Sequence, residues 1–379
     1  MVRALGIDPG TGSMDLLAFD DETGEVFYAE AIPRRLVTED PSIVIERLMR
    51  IHRAYGLDAI VAPSGYGMPL KRVQEASDAD IRLATFITCE DEERGLQIVG
   101  LRRLMQMFRD SDLPAWFTPG GVHLPSIPAY RKANRIDMAT ADKIFTVAAA
   151  MAAERLGGAR PENINIIVVE IGQAYTSAML VEESRITDAI AGTAGFWGFM
   201  GGGFMDSELA YALAAVRPRF SKKLLFSGGV SSIYGISGFD ELEEGLGRGV
   251  GKAREAANML AEGVVKAASA LVSTARKRPT AIYLSGRAMR YPLISRMIVE
   301  GLKRSPLLSD LPAKRPLLLS PTAKEGASGA AIIASGLAGG AYRWVVDSLG
   351  LRESSGHVFS WVVDEGLKRD LVDEFASTC

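Results

Sequence analysis

Cysteine is almost missing from this sequence of 379 residues, with Cys89 and Cys379 its only two. Two thiols cannot build a disulfide framework, a four-thiolate zinc site or a thiolate-held iron–sulfur cluster within one chain, and the expected setting is a reducing cytoplasm. Histidine is nearly as sparse. His52, His123 and His357 stand far apart, so there is no paired-histidine metal motif, and Ser227-Gly228-Gly229 has no histidine at a spacing that would make it a hydrolase nucleophile. An excess of either charge sign is also lacking. The 43 basic and 46 acidic residues leave a formal charge of -3, without the basic footprint that nucleic-acid binders carry. Nor is there a bilayer-length apolar run: Ala327 to Ala341 falls short of the roughly 20 residues a span needs. That stretch also contains Gly329, Gly336, Gly339 and Gly340, and reads as a buried helix. The first residues enter a strand pattern directly, so neither an export signal nor a membrane partner is expected. Asn and Gln occur four times each, a scarcity that points to a heat-resistant source.

A hydrophobic fraction of 47% over this length predicts two cores rather than one. Val2 to Asp8 is an apolar run that breaks at Asp-Pro-Gly-Thr-Gly-Ser. Met14 to Phe19 and Val26 to Ile32 follow, and the three runs read as a β-meander. Asp40-Pro41 starts a helix, Ala59 to Ala62 resumes a strand, and helices are expected over Glu92 to Phe108 and Ala139 to Arg155. Gly157-Gly158-Ala159-Arg160-Pro161 then breaks the chain. Beyond it the opening repeats, with strands at Ile164 to Ile171, Ala174 to Val181 and Arg185 to Ala191. In this repeat Asp8 matches Glu170, Gly10 matches Gly172 and Thr11 matches Gln173. Lys223 to Phe226 reads as a strand ending in Ser-Gly-Gly, Ala281 to Leu284 as one ending in Ser-Gly-Arg, and Pro316 to Ser320 as a third. Leu260, Val264, Ala267, Leu271 and Ala275 form a core-facing helical stripe between the first two. The expected division is 1–157, 158–340 and a helical extension at 341–379 that packs back on the first domain.

Five segments stand in an order that resembles the acetate kinase, sugar kinase, Hsp70 and actin superfamily. Leu5-Gly-Ile-Asp-Pro-Gly-Thr-Gly-Ser13 resembles its first phosphate loop, Arg135 to Ala149 its first connecting helix, and Val169-Glu-Ile-Gly-Gln173 its second phosphate loop. Ile282-Tyr-Leu-Ser-Gly-Arg287 resembles its adenosine motif and Gly326 to Ala338 its second connecting helix. More narrowly, Arg131 to Lys143 and Leu225-Phe-Ser-Gly-Gly229 are similar to an archaeal family described as predicted butyrate kinase. The resemblance implies an α/β fold of two duplicated actin-like, ribonuclease H-like domains with ATP and Mg2+ in an interdomain cleft. It implies a cytoplasmic kinase that converts a small carboxylic acid to an acyl phosphate. A nucleotide switch without an acceptor and a sugar or alcohol kinase are the alternative readings. Superfamily members often dimerise, which extends the expectation to a homodimer.

On this reading the glycine hairpins offer backbone N–H groups to phosphate oxygens. Gly10, Thr11, Gly12 and Ser13 serve in the first hairpin, and Gly172 and Gln173 in the second, with Thr176 beside them. Asp8 holds the metal through water. Gly228, Gly229, Gly286, Arg287 and Gly329 complete the nucleotide contacts. Asp142 is favoured over Asp137 as the second catalytic carboxylate, a base for an alcohol acceptor or a water positioner for a carboxylate, which needs no base. Arg131 and Arg135 are the cations expected to hold the acceptor. Glu170 departs from the usual Asp of the second loop, which puts a direct metal or water contact there in question.

Overall fold

The computed structural model describes residues 1–93, 97–216 and 221–377. Cys379 and part of the expected helix at Glu92 to Phe108 lie outside these residues. Among those described, no helix is long and apolar enough to cross a membrane. The chain forms two compact units, one of residues 1–164, 183–187 and 316–379, the other of 165–182 and 188–315. The helix Glu325–Leu337, which the motif order grouped with residues 158–340, thus belongs to the first unit.

The first unit opens with three strands that the turns at 10–13 and 21–25 fold into a meander: β1 (Arg3–Pro9), β2 (Ser13–Asp20) and β3 (Val26–Pro33). Short strands β4 (Ala59–Val61), β5 (Lys71–Arg72) and β6 (Ala115–Phe117) complete a sheet of order β3-β2-β1-β4-β6-β5. β1 runs antiparallel to β2 and parallel to β4.

The second unit repeats the pattern with β7 (Ile166–Ile171), β8 (Thr176–Glu182), β9 (Arg185–Ala191), β10 (Ala281–Ser285) and β11 (Ala313–Lys314). Its order, β11-β10-β7-β8-β9, reproduces β6-β4-β1-β2-β3. The hairpin registers repeat as well. Pro9 pairs with Met14 and Asp8 with Asp15, as Ile171 pairs with Thr176 and Glu170 with Ser177, so the turns 10–13 and 172–175 are equivalent. The helix Gly251–Thr274 buries Leu260, Val264, Ala267 and Leu271 in this unit's core, as the stripe required.

Three expected elements differ. Lys222–Phe226 is a 3-10 turn rather than a strand, and Pro316 to Ser320 carries no strand, the edge being β11 instead. The helix expected from Arg135 begins only at Ala141. The reason lies at Gly120-Gly121: a Cβ on Gly121 would stand 1.7 Å from the Met138 carbonyl oxygen, and the Gly121 amide donates to the Ala139 carbonyl at 2.8 Å. Residues before Ala141 are thereby held out of helix, and Asp137 lies in the lead-in rather than on the helix.

The C-terminal segment packs within the first unit. Asn134 donates from its amide to the Trp361 carbonyl at 2.8 Å, and Trp361 Nε1 donates to the Val122 carbonyl at 2.8 Å. Lys132 lies 4.5 Å above the Trp361 ring, with its Nζ donating to the Leu124 carbonyl at 2.5 Å. Burial brings this ammonium down to about 8. Next to it His123 is buried, with Nδ1 accepting from the Gly120 amide at 3.2 Å. Burial pushes its imidazole down to about 4; the Gly120 carbonyl, 3.3 Å from Nδ1, opposes this, while Lys132 and His357 add to it. The folded protein therefore refuses a proton that the unfolded chain accepts at about 6.5. As pH falls from about 6.5 to 4, stability is expected to drop by up to about 3 kcal/mol through this group. Urea unfolding across that range should show the slope in wild type and lose most of it in His123→Gln; identical slopes would count against the assignment.

Candidate functional site

The helix Glu325–Leu337 is buried along its whole length, and its small residues allow backbone to meet backbone. A Cβ on Gly6 of β1 would lie 2.1 Å from the Ala331 nitrogen, and one on Gly329 would lie 1.7 Å from the Phe145 carbonyl oxygen. The helix is thus wedged between β1 and the helix Ala141–Leu156, with its first turn at the tip of the first hairpin. There a Cβ on Gly326 would stand 2.8 Å from Asp8 Cγ, so glycine is needed to leave the carboxylate its place.

Lys324, immediately before the helix, reaches over the hairpin. Its Nζ lies 3.6 Å from Asp8 Oδ2, 3.2 Å from Asp15 Oδ1 and 3.3 Å from the Ser13 carbonyl, and its amide donates to Asp15 Oδ2 at 2.9 Å. Ser13 Oγ donates to Asp15 Oδ1 at 2.6 Å. Asp8 and Asp15 are buried, whereas Thr11 and Gly12 are exposed. The tip is therefore an open rim of backbone above two buried carboxylates and one ammonium. Arg34, the first residue of the helix Arg34–Glu39 that follows β3, donates its amide to the Gly12 carbonyl at 3.1 Å.

Of the residues proposed from sequence, Asp8, Gly10, Thr11, Gly12 and Ser13 share this tip. Gly329 stands apart from it, packed where a Cβ would lie 1.7 Å from the Phe145 carbonyl oxygen. Asp142 sits in the first turn of the helix Ala141–Leu156, with Lys143 Nζ at 2.6 Å and the Thr140 hydroxyl donating to it. Burial raises its carboxyl, but Lys143 and the two hydrogen bonds outweigh that and hold it below the usual range. Arg131 donates from Nη1 to the Thr187 carbonyl at 2.7 Å, a link that fixes backbone, and Arg135 is exposed.

In the second unit the glycines of three distant segments meet. The Gly172 amide donates to the Tyr175 carbonyl at 2.9 Å to close the turn that carries Gln173. A Cβ on Gly286, where φ is +92°, would lie 2.5 Å from the Ile171 carbonyl oxygen, so this glycine abuts the same turn. Gly228 bridges to Gly201, and the Gly229 amide donates to the Met200 carbonyl at 3.0 Å. The Met200 and Gly201 amides in turn donate to the Ala174 carbonyl at 3.1 and 3.0 Å. The segment Gly195 to Met205 is thus the layer between the hairpin and Gly228-Gly229. Thr176 Oγ1 is buried here with no hydrogen-bond partner among the described residues. Arg287 is exposed.

Sequence reasoning missed Asp15, Arg34 and Lys324. Asp15 had a signal, since it is an acid inside the apolar run Met14 to Phe19. Lys324 and Arg34 had none, because only the packing of distant segments brings them to the tip.

Two repeated sheets of this order, each with its glycine hairpin, define a protein of two duplicated actin-like, ribonuclease H-like α/β domains. Solved structures agree. The fold is similar to that of a propionate kinase from Francisella tularensis subsp. tularensis SCHU S4, with a TM-score of 0.60 and 14% identity over 87% of this chain and 99% of that one. Acetate kinases from Porphyromonas gingivalis (TM-score 0.55, 13% identity) and Entamoeba histolytica (0.56, 9%) are also similar, each over 79% of this chain and 86% of theirs. No curated protein sequence matches. The chain belongs to the family described as "Protein of unknown function (DUF1464)", whose model matches residues 6–364.

Proposed function

We propose that this protein is an ATP-dependent phosphotransferase that converts a small, butyrate-like carboxylic acid to an acyl phosphate. The observation that carries the reading is the first hairpin, an exposed glycine rim over the buried Asp8 with the Lys324 ammonium 3.6 Å away. The likeness in fold to propionate and acetate kinases supports it.

Phosphoryl transfer asks mainly for positioning and charge neutralisation. The amides of residues 10–13 would bind phosphate oxygens, and Lys324 would orient them. Magnesium fits the donors present. Among the described residues there is no group of three or more His, Cys, Asp or Glu side chains that could hold a metal ion. Asp8 is a single hard oxygen donor, and Mg2+ is commonly held by one or two carboxylates, water and substrate phosphates. Bound beside Asp8, the ion would neutralise charge on the phosphoryl oxygens. A carboxylate acceptor is already a nucleophile, so Asp142, tied to Lys143, needs only to hold water or charge in place.

The test is ATP consumption by the purified protein with magnesium across a panel of short carboxylates, trapping acyl phosphate with hydroxylamine. Hydroxamate should form with one acid, butyrate or a near homologue. Slow ATP turnover indifferent to every acid would replace the kinase with a nucleotide switch, and phosphorylation of a sugar would replace the acceptor class.

A further inference from the structure

Arg34 is 7% exposed, and among the described residues its Nε and Nη1 have no hydrogen-bond partner. Buried polar groups without partners are few in native proteins, and a charged one costs more than a neutral one. Position adds to the anomaly. β3 pairs Pro33 with Ser13, and the Arg34 amide donates to the Gly12 carbonyl at 3.1 Å, so the residue is fixed at the root of the glycine hairpin. Burial brings its guanidinium down to about 10, with the nearby charge of Asp8 acting against that, and it stays protonated at neutral pH. Other buried cations differ. Lys132 has the Leu124 carbonyl and the Trp361 ring, and Arg102 has Glu92 and Thr85.

We infer that Arg34 is an anion-binding residue of the first hairpin, whose two idle donors take the oxygens of a phosphoryl or carboxylate group. The planar guanidinium fork matches both anions. The inference deepens the phosphotransferase reading, on which it rests for its ligand class. It gives the role of anion contact to Arg34 in place of Arg131, whose Nη1 is engaged by the Thr187 carbonyl.

The test titrates wild type, Arg34→Met and Arg34→Lys calorimetrically with inorganic phosphate, with butyrate and with a magnesium complex of a non-hydrolysable ATP analogue. Thermal midpoints are read with and without each. At least one of these should bind wild type, and its affinity should fall roughly ten- to a hundred-fold in Arg34→Met, with partial retention in Arg34→Lys. Loss confined to phosphate or nucleotide identifies a phosphoryl contact; loss confined to butyrate identifies an acceptor contact. Without ligand, Arg34→Met should melt no lower than wild type, because a buried charge whose Nε and Nη1 lack hydrogen-bond partners has been removed. Equal affinities in wild type and Arg34→Met, no binding to wild type, or a ligand-free Met variant that melts well below wild type or fails to fold would each overturn the inference. Anion binding that depends on Arg34 in a protein that forms no hydroxamate would keep the site and reject the kinase. Equal hydroxamate formation by wild type and Arg34→Met would do the reverse.

Discussion

Changing Asp8 to Asn is expected to lower acyl phosphate formation by on the order of 10²–10³-fold, the usual cost of losing one charged or hydrogen-bonding group aimed at a transition state. The substitution keeps the shape that Gly326 accommodates and removes only the charge. Lys324 keeps Asp15 at 3.2 Å and the Ser13 carbonyl at 3.3 Å, so the hairpin and the start of the helix retain their tie. The loss should therefore fall on kcat more than on KM for the acid, with the thermal midpoint within a few degrees of wild type. An Asn variant that melts much lower while keeping its turnover would make Asp8 a structural counter-ion of Lys324 and nothing more.

Gly329→Ala is expected to act in the opposite way, on the fold. The new methyl would stand 1.7 Å from the Phe145 carbonyl oxygen and 2.5 Å from its carbonyl carbon, both of them backbone atoms. No side chain can turn aside to relieve the clash, so two helices must separate, and the one that moves also carries Gly326 and follows Lys324. A destabilisation of about 3 kcal/mol or more is expected for the first unit, at the upper end for overpacked cores. Urea unfolding monitored by a probe in that unit would measure it. A variant of wild-type stability that had lost nucleotide affinity would restore Gly329 to the binding site.

The two hairpins were legible in sequence because their signal is local. Each is an apolar run that ends in glycine and resumes after a turn, and Asp8 and Glu170 do occupy equivalent register positions. The stripe on Gly251–Thr274 was legible for the same reason, since helical periodicity reports one buried face. Reading failed where a distant segment overrides local preference. The resemblance extends the connecting helix back to Arg135, yet the Gly120-Gly121 backbone packed on Met138 and Ala139 holds these residues out of helix. Lys222–Phe226 has the composition of a strand, but no sheet edge receives it. Gly329 is packed against the Phe145 backbone, a contact sequence does not foretell, because a glycine in a small-residue helix has two uses, approach to a ligand or to another backbone.

By itself, then, the sequence determined the α/β class, the duplication and the position of the two glycine turns, all of which follow from periodicity and turn residues within short windows. Only the tertiary structure decided which charges stand at the first turn. Asp15, Arg34 and Lys324 reach it through strand pairing and through the close packing of the helix Glu325–Leu337 on β1, and a sequence separation of 309 between Asp15 and Lys324 leaves no local pattern to read.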